Sequence, residues 1–257
     1  MNRTDMMLEL NRGLEQLPGL WSRKERIHPA FRDFTAEMVF DLQVYRELFD
    51  EIDRNLAEEP PAVRAEVHRM VAESEYGNFR DLFDGKLAEL EAHVSGFSQE
   101  EHERHGFYLR KHVWDIILAS EFLRRANLKP RGYAGDAGVM RMLYENDFRG
   151  STIFARFVHR HPLQTAAAEA VRNRVGLLHE RISRAASQRP SSPLRVLSVA
   201  CGPAWELREL CRSAEDFERY DLILLDQDPK ALDEARKTVA EVDARRGGKL
   251  RVRYIQD

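Results

Sequence analysis

Three short apolar runs near the end of the chain restrict its fold more than any other feature. The runs are LRVLSVA (194–200), YDLILLD (220–226) and KLRVRYIQD (249–257), and two stretches of helical character separate them. Short apolar runs rich in branched side chains are typical of buried strands in a parallel sheet. With short connections and right-handed crossovers, they predict half of a doubly wound α/β sheet, in the order strand, helix, strand, helix, strand.

The chain before these runs has a helical pattern. Apolar residues recur every three or four positions from Phe31 to Ile52, which predicts one apolar face on a long helix. A second helix is expected after Pro60 and Pro61, because proline fits the first turn of a helix and not its interior. We expect this second helix to be interrupted near Gly77–Asn78.

Further helices are predicted on both sides of this region. Residues 1–17 have the pattern of an amphipathic helix, and Ser98 with Glu101 has the spacing of a capping box at the start of another. Shorter helical segments are expected around Val139–Tyr144 and Ile153–His159, followed by a longer helix from about Leu163 to Ala186.

The stretch SQRPSSP (187–193) has the composition of a linker. It divides the sequence into two predicted domains. Residues 1–188 form a helical N-terminal domain that would bind substrate or act as a lid, and residues 189–257 begin an α/β domain.

Composition excludes several classes of protein. The formal net charge is −3 with acids and bases interspersed, so the basic stripe of a nucleic-acid-binding protein is absent from the sequence. It has no apolar run of about 18 residues, so no transmembrane helix is expected, and its N-terminus lacks the apolar core of a signal peptide. The two cysteines, Cys201 and Cys211, match no metal-binding spacing, which predicts reduced thiols in a cytoplasmic protein without a metal.

The stretch VLSVACGPAWEL (196–207) has the features of a ligand-binding turn. A strand enters a turn of small residues that allow a ligand to approach the backbone, and the helix that follows offers free amide donors. Asp226 follows the second strand, where a carboxylate can accept hydrogen bonds from both hydroxyls of a ribose.

These segments resemble the motifs of class I S-adenosylmethionine-dependent methyltransferases, which have a Rossmann-like fold. CGP (201–203) is common in the first motif, DQDPKALDEAR is similar to the second, and VRYIQD looks like the third strand, ending in an Asp that often contacts the adenine amine. The resemblance implies S-adenosylmethionine as cofactor. It implies binding residues at Ala200, Cys201, Gly202, Pro203, Ala204, Glu206, Asp226, Gln227 and Asp257.

The first motif departs from the family pattern at three positions. Ser198 stands where an acidic residue is usual, and Ala200 and Ala204 replace two of three glycines. Alanine is expected to fit this turn if its φ stays negative. Glu206 could replace the missing acid near the amino-acid end of the cofactor, or it could only complement the dipole of its helix.

A narrower resemblance covers residues 120 to 257. The segments KPRGYAGDAGVM (129–140), GSTIFARFVHRH (150–161) and AAAEAVRNRV (166–175), together with the first motif, resemble the bacterial family of extracellular factor (3-hydroxypalmitic acid methyl ester) biosynthesis proteins. This family implies methyl transfer to the carboxylate of a 3-hydroxy fatty acid, which makes a volatile quorum-sensing signal. The partner implied is therefore a small-molecule acyl substrate.

The chemistry of that reaction suggests candidate catalytic residues. A carboxylate needs no general base, but it needs a cation or hydroxyl to orient it about 3 Å from the methyl group. Arg131, Tyr133 and Arg174 are candidates, as is Arg172. Another acceptor would need a base, for which Asp136, His159 and His161 are available. Each has a structural alternative: the arginines could face solvent, Tyr133 could be a core aromatic, Asp136 could cap a helix, and the histidines could complement a helix end.

The glycine-rich segment at 129–140 is open to two interpretations, a hinge or a lid that brings Arg131 and Tyr133 to the site. Class I sheets usually have seven strands, so we also expect the sequence to be truncated or incomplete. A chain that ended here would leave an unpaired strand edge and could dimerise. Two rival classes stay open: a methyltransferase for another small molecule or a protein, and a non-catalytic helical interaction protein with a degenerate cofactor fold.

Overall fold

The computed structural model describes residues 26–189, 191–211 and 216–257. The helix predicted within residues 1–17 lies outside them. The described elements, in chain order, are α1 Pro29–Asn55, α2 Pro61–Val94, α3 Gln99–Ile117, α4 Glu121–Leu128, α5 Ala137–Glu145, α6 Ile153–Leu163, α7 Ala166–Ser187, β1 Leu194–Val199, α8 Leu207–Leu210, α9 Asp216–Arg219, β2 Tyr220–Asp226, α10 Pro229–Arg246 and β3 Arg251–Gln256.

The chain divides into two compact units. Unit 1 contains residues up to Leu118 together with Thr152–Phe154, and unit 2 contains Ala119–Ser151 and Ala155–Asp257. This division falls well before the linker at 187–193, because the helices from α4 onward pack with the sheet. Composition marks the linker, whereas packing decides which elements form a compact unit.

Unit 1 is built on α1, α2 and α3. The predicted apolar face of α1 is confirmed, with Phe31, Phe34 and Leu42 buried. The ammonium of Lys86 on α2 lies 2.9 Å from Asp41 and 3.1 Å from Glu37 on α1. This ion cluster and the aromatic core join the first two helices.

The predicted interruption of α2 near Gly77–Asn78 is wrong, because α2 is continuous from Pro61 to Val94. Glycine inside a helix costs about 0.5–1 kcal/mol relative to alanine, which is less than burial of a large aromatic side chain contributes. Phe79 and Phe83, which follow the glycine, are both buried. Tertiary packing therefore overrides the local break signal.

The capping box at the start of α3 is confirmed. The Ser98 hydroxyl accepts the backbone N–H of Glu101 at 3.3 Å, and the Glu101 carboxylate accepts the backbone N–H of Ser98 at 2.8 Å. Two amide donors that a helix start leaves unpaired are satisfied in this way.

Unit 2 contains a parallel sheet, which is three-stranded among the described residues and has the order β1-β2-β3. Val196 pairs with Leu222, and Leu222 pairs with Val252, so all three strands run in register toward one edge. Leu222 and Leu224 on the central strand are buried in the unit 2 core. The predicted order of strands and helices is therefore observed.

The strand β1 is less buried than expected. Leu194 and Val196 pack on the unit 2 core, but Leu197 is 56% exposed and Val199 is 66% exposed. The side chains of a strand alternate between its two faces, and α7 and α8 contribute to the core on the Val196 side. The prediction of a buried strand is therefore wrong for the face of β1 that carries Leu197 and Val199.

Ion pairs join α5 to α10 within unit 2. The guanidinium of Arg141 contacts Glu145 at 2.7 Å on its own helix, and Glu234 at 3.0 Å and Glu241 at 3.5 Å on α10. This bridge places α5, and the glycine-rich segment before it, in the same compact unit as the sheet. In the part of the chain that is described, no helix is long and apolar enough to cross a membrane.

Candidate functional site

A cavity of about 510 Å³ lies at the carboxyl edge of the sheet in unit 2. Its walls come from the turn after β1, from the ends of β2 and β3, and from the helical segments before the sheet. The lining residues are Tyr133, Gly135, Ala137, Met140, Tyr144, Arg174, Val199, Ala200, Cys201, Gly202, Pro203, Glu206, Leu225, Asp226, Gln227 and Asp257. Eight of the nine residues predicted to bind a cofactor are among them, because the ends of parallel strands share one edge. The ninth, Ala204, is fully buried and does not line the cavity.

The turn after β1 has a left-handed backbone at three alternating positions. The φ angles are +52° at Ala200, +54° at Gly202 and +49° at Ala204. The condition of negative φ, under which alanine was expected to fit this turn, is therefore not met. Glycine adopts this conformation freely, but alanine pays for it in steric strain between its Cβ and the backbone. The turn therefore has the left-handed backbone that favours glycine at three positions, although two of the three residues are alanine.

Asp226 is buried at the end of β2 and fixes this turn. One carboxylate oxygen accepts the N–H of Gly202 at 2.9 Å, and the other accepts the N–H of Asp228 at 3.0 Å. A carboxylate has about four acceptor sites, so two remain for donors from a ligand. Asp226 is thus both a structural brace for the turn and a free acceptor at the cavity wall.

Glu206 provides a second carboxyl group at the cavity wall. It lines the main cavity and also a smaller apolar cavity of about 100 Å³ formed with side chains such as Leu178, Ile182 and Leu222. Burial raises the pKa of Glu206 above its ordinary value, against the opposing effects of its own backbone N–H, the Arg174 charge and the Ser198 hydroxyl at 3.5 Å. A cation in the main cavity would stabilise its ionised form.

An arginine and an aromatic pair form the wall opposite the sheet. Arg174 on α7 donates a hydrogen bond to the hydroxyl of Tyr144 at 2.7 Å, and both side chains line the cavity. The Tyr144 ring stacks on Trp205 with centroids 5.6 Å apart and planes 9° from parallel. Arg208 lies 3.9 Å from the centroid of the Trp205 ring. Arg174 therefore has one of its donors directed to Tyr144 and presents its charge at the cavity.

Arg131 and Tyr133 are brought to the sheet, but their partner is Asp228. Arg131 Nη1 donates to Asp228 Oδ2 at 2.7 Å, and the Tyr133 hydroxyl donates to the same oxygen at 3.4 Å. Tyr133 also lines the cavity. Arg131 thus forms an ion pair with another residue of the same chain. The direct catalytic role predicted for it from sequence has no support in this geometry.

Asp136 is the N-cap of α5. It is fully buried, its Oδ1 accepts the N–H groups of Gly138 at 2.9 Å and Val139 at 3.1 Å, and it pairs with Arg125 at 2.8 Å. Burial would raise its pKa, but the hydrogen bonds from Arg125 and the two amides outweigh that effect and lower it. A buried, fully engaged carboxylate of low pKa is a poor general base, so the structural alternative is the one observed.

The other candidate bases and Arg172 also have structural partners. His159 is fully buried, and its Nδ1 accepts the N–H of Phe122 at 3.3 Å near the start of α4. His161 is buried as well. Arg172 donates to the backbone carbonyl oxygens of Leu163 at 2.6 Å and Leu143 at 3.3 Å. These residues hold α4, α5 and α6 together.

The two cysteines are buried and reduced. Burial raises the pKa of Cys201 and of Cys211 to about 12 in each case. A thiol is nucleophilic only as its thiolate, so Cys201 contributes shape to the cavity wall and not a nucleophile. Among the described residues, no cluster of three or more His, Cys, Asp or Glu side chains is arranged to hold a metal ion.

A wider depression of about 1050 Å³ lies at the opposite, amino-terminal edge of the strands. Pro193 and Arg251, at the beginnings of β1 and β3, are part of its lining. In open α/β sheets the ligand edge is the carboxyl edge, so the smaller cavity is the better candidate site.

Sequence reasoning missed Met140, Tyr144 and Asp228. Met140 and Tyr144 are four residues apart on α5, which places them on one helix face, but nothing in the sequence indicates that this face meets the sheet. Asp228 was visible as a helix N-cap before Pro229. Its pairing with Arg131, 97 positions away, depends on the tertiary fold.

This chain matches no family model, no curated protein and no solved structure.

Proposed function

We propose that unit 2 is the cofactor-binding part of an S-adenosylmethionine-dependent methyltransferase. The observation that carries this proposal is a single cavity at the carboxyl edge of a parallel sheet, lined by the turn after β1 together with Asp226, Gln227 and Asp257. Those segments are the ones that resemble the three motifs of class I methyltransferases. A Rossmann-like assignment of the sheet belongs to the same proposal.

The residues present fit this cofactor. Ligand pockets commonly measure about 300–1,000 Å³, and the cavity of about 510 Å³ lies within that range. A nucleoside attached to a cationic amino acid requires hydroxyl acceptors and anionic groups, and the wall provides Asp226, Glu206 and Asp257. When bound, the cofactor would supply a methyl group on a sulfonium.

The chain's own residues would then divide the binding work. Asp226 has two unused acceptor sites for ribose hydroxyls while it braces Gly202. Gln227 and Asp257 follow β2 and β3 and could accept from or donate to the adenine edge. Glu206, when ionised, would balance the positive charge of the amino-acid end, which replaces the acid missing at Ser198.

We further propose that the acceptor is the carboxylate of a 3-hydroxy fatty acid, which rests on the resemblance of residues 120–257 to the extracellular factor family. The group on the cavity wall with suitable charge is Arg174, which could orient a carboxylate by a charge-assisted hydrogen bond. Tyr144 holds Arg174 in place through its hydroxyl. A methyl transfer to an ionised carboxylate needs orientation and exclusion of water, and no general base.

The test is transfer of a labelled methyl group. The protein is incubated with isotope-labelled S-adenosylmethionine and a 3-hydroxy fatty acid, and lipid extracts are analysed by mass spectrometry for the labelled methyl ester. Arg174→Gln is the site variant, and Arg184→Gln, an exposed arginine on the same helix paired with Glu180, is its matched control. The proposal expects ester from the control protein and at least about tenfold less from Arg174→Gln.

Different results would contradict the acceptor assignment and the methyltransferase assignment. Cofactor binding without any ester would overturn the fatty-acid acceptor and leave a methyltransferase for another molecule. Absence of cofactor binding would overturn the enzyme assignment altogether and favour the alternative of a helical interaction protein.

A further inference from the structure

Asp228 joins three parts of unit 2 through one side chain and one amide. Its Oδ1 accepts the N–H of Lys230 at 2.9 Å and so caps α10, while its Oδ2 accepts from Arg131 at 2.7 Å. Its own N–H donates to Asp226 at 3.0 Å. Asp226, which lines the cavity, is thus connected through Asp228 to the glycine-rich segment.

Residues 130–135, the part of that segment between α4 and α5, have few other restraints, one being the hydrogen bond from the Gly132 N–H to the Lys129 carbonyl oxygen. They are fixed at their two ends, by Lys129 in a left-handed conformation after α4 and by the buried cap Asp136 before α5. Between them, residues 132–135 are exposed, and a Cβ added at Gly132 or Gly135 would meet nothing within 4 Å. The contacts to Asp228 therefore determine where the middle of the segment lies.

The position of the segment affects the cavity directly, because Tyr133 and Gly135 belong to the lining. The ion pair is also shielded from water: the Arg131 side chain is 20% exposed and the Asp228 side chain 13%. Burial would raise the pKa of Asp228, but the hydrogen bond and charge of Arg131 and the Lys230 amide outweigh burial and lower it. Asp228 is consequently ionised, and the pair is intact, at neutral pH.

We propose that Asp228 is a positioning residue, and that the Arg131–Asp228 pair, the clasp, fastens residues 130–135 beside the cavity and slows release of the ligand bound there. The ligand part of this inference rests on the proposed function. The fastening of the segment does not, since it concerns only this chain's own contacts.

The test uses the full chain and the variant Asp228→Asn. Asparagine caps helices as well as aspartate does, and the backbone N–H to Asp226 is retained, so the change removes mainly the charge. The matched control is Asp221→Asn, which removes the same charge from the Arg195–Asp221 pair, whose side chains are 71% and 33% exposed and which lies away from the cavity.

The first readout is hydrogen exchange, without any ligand, of the Gly132 amide in this segment, which donates to the Lys129 carbonyl oxygen at 2.7 Å. Loss of a charge-assisted hydrogen bond is expected to accelerate exchange there by about tenfold or more in Asp228→Asn. Arg131→Gln should have the same effect, Arg131→Lys should restore most of the protection, and Asp221→Asn should leave it unchanged. Unaltered exchange in both Asp228→Asn and Arg131→Gln would overturn the clasp.

The second readout is the dissociation rate of S-adenosylmethionine, which a merely structural role of Asp228 would not change. We expect about a tenfold faster release from Asp228→Asn, with an unfolding midpoint no lower than that of the control. Faster exchange with an unchanged dissociation rate would overturn the claim that the clasp retains ligand. If the wild-type protein binds no cofactor, the proposed function and the ligand-retention claim fail together, while the exchange data still decide whether the clasp fastens the segment.

Discussion

Two alanines in the turn after β1 hold a strained, left-handed backbone. Ala200 and Ala204 both have positive φ, and Ala204 is completely buried. From the sequence, alanine in place of glycine was expected to fit this turn if its φ stayed negative. The backbone instead follows the sheet and the brace from Asp226, so the strain is located in these two alanines. The sequence identified their positions but not their left-handed φ.

Of the possible replacements of these alanines, only glycine should therefore be tolerated. Ala200→Gly should raise the unfolding free energy by up to about 1 kcal/mol, since relief of left-handed strain of about 1–2 kcal/mol exceeds the entropy cost of glycine of about 0.5–1 kcal/mol. Ala170→Gly, an exposed site on α7, is the control and should lower it by about 0.5–1 kcal/mol. Chemical denaturation measures both, and equal losses in the two variants would contradict the left-handed turn.

Glu206 gives the protein a pH dependence of defined sign. Its pKa is raised in the folded state, so the fold favours the protonated acid. The stability linked to this group is present at low pH and is lost as pH rises through the folded-state pKa. Glu206→Gln should remove that loss, so the variant should gain stability relative to the wild type as pH increases.

Binding of a cationic cofactor should have the opposite trend, because it requires ionised Glu206. Affinity is expected to rise with pH below the pKa of Glu206 by at most about tenfold per pH unit, the limit for one linked proton. Titration calorimetry at several pH values tests this. A pH dependence that is the same in Glu206→Gln would exclude Glu206 as the linked group.

At the scale of elements, most helices and all three strands could be predicted, because hydrophobic periodicity and caps are local signals. The failures were of two kinds. Gly77 was taken as a break although Phe79 and Phe83 anchor a continuous α2. The strand β1 was expected to be buried, but which of its faces are covered depends on the placement of helices, and no local pattern encodes that.

The continuity of α2 leads to a stability prediction. Gly77 and Gly85 are exposed, and a Cβ at either position would meet nothing within 4 Å. Gly77→Ala and Gly85→Ala should each raise the unfolding free energy by about 0.5–1 kcal/mol. Gly247→Ala is the contrasting variant, because its φ of +66° after α10 makes alanine unfavourable there. Destabilisation by Gly77→Ala would indicate that α2 is broken at that point.

At the scale of the whole molecule, the sequence and the structure agree on the composition of the site better than on the organisation of the chain. Eight of the nine residues predicted from the three motifs line the cavity, all except the buried Ala204, since the ends of parallel strands must meet at one edge. Other residues were placed less well. Arg131 and Asp136 have structural partners, and Asp228, which lies inside the second motif, was overlooked. The helices from α4 onward cluster with the sheet, apart from Ile153 and Phe154 at the start of α6.

The most direct test of the account is whether the cavity binds S-adenosylmethionine through Asp226. Calorimetric titration of the wild-type protein should show one site, and Asp226→Asn should bind at least about tenfold more weakly, because a charge-assisted acceptor for the ribose hydroxyls is lost. Asp233→Asn, an exposed residue on α10, should bind as the wild type does. No binding by the wild-type protein, or equal affinity of Asp226→Asn and the wild type, would contradict the account.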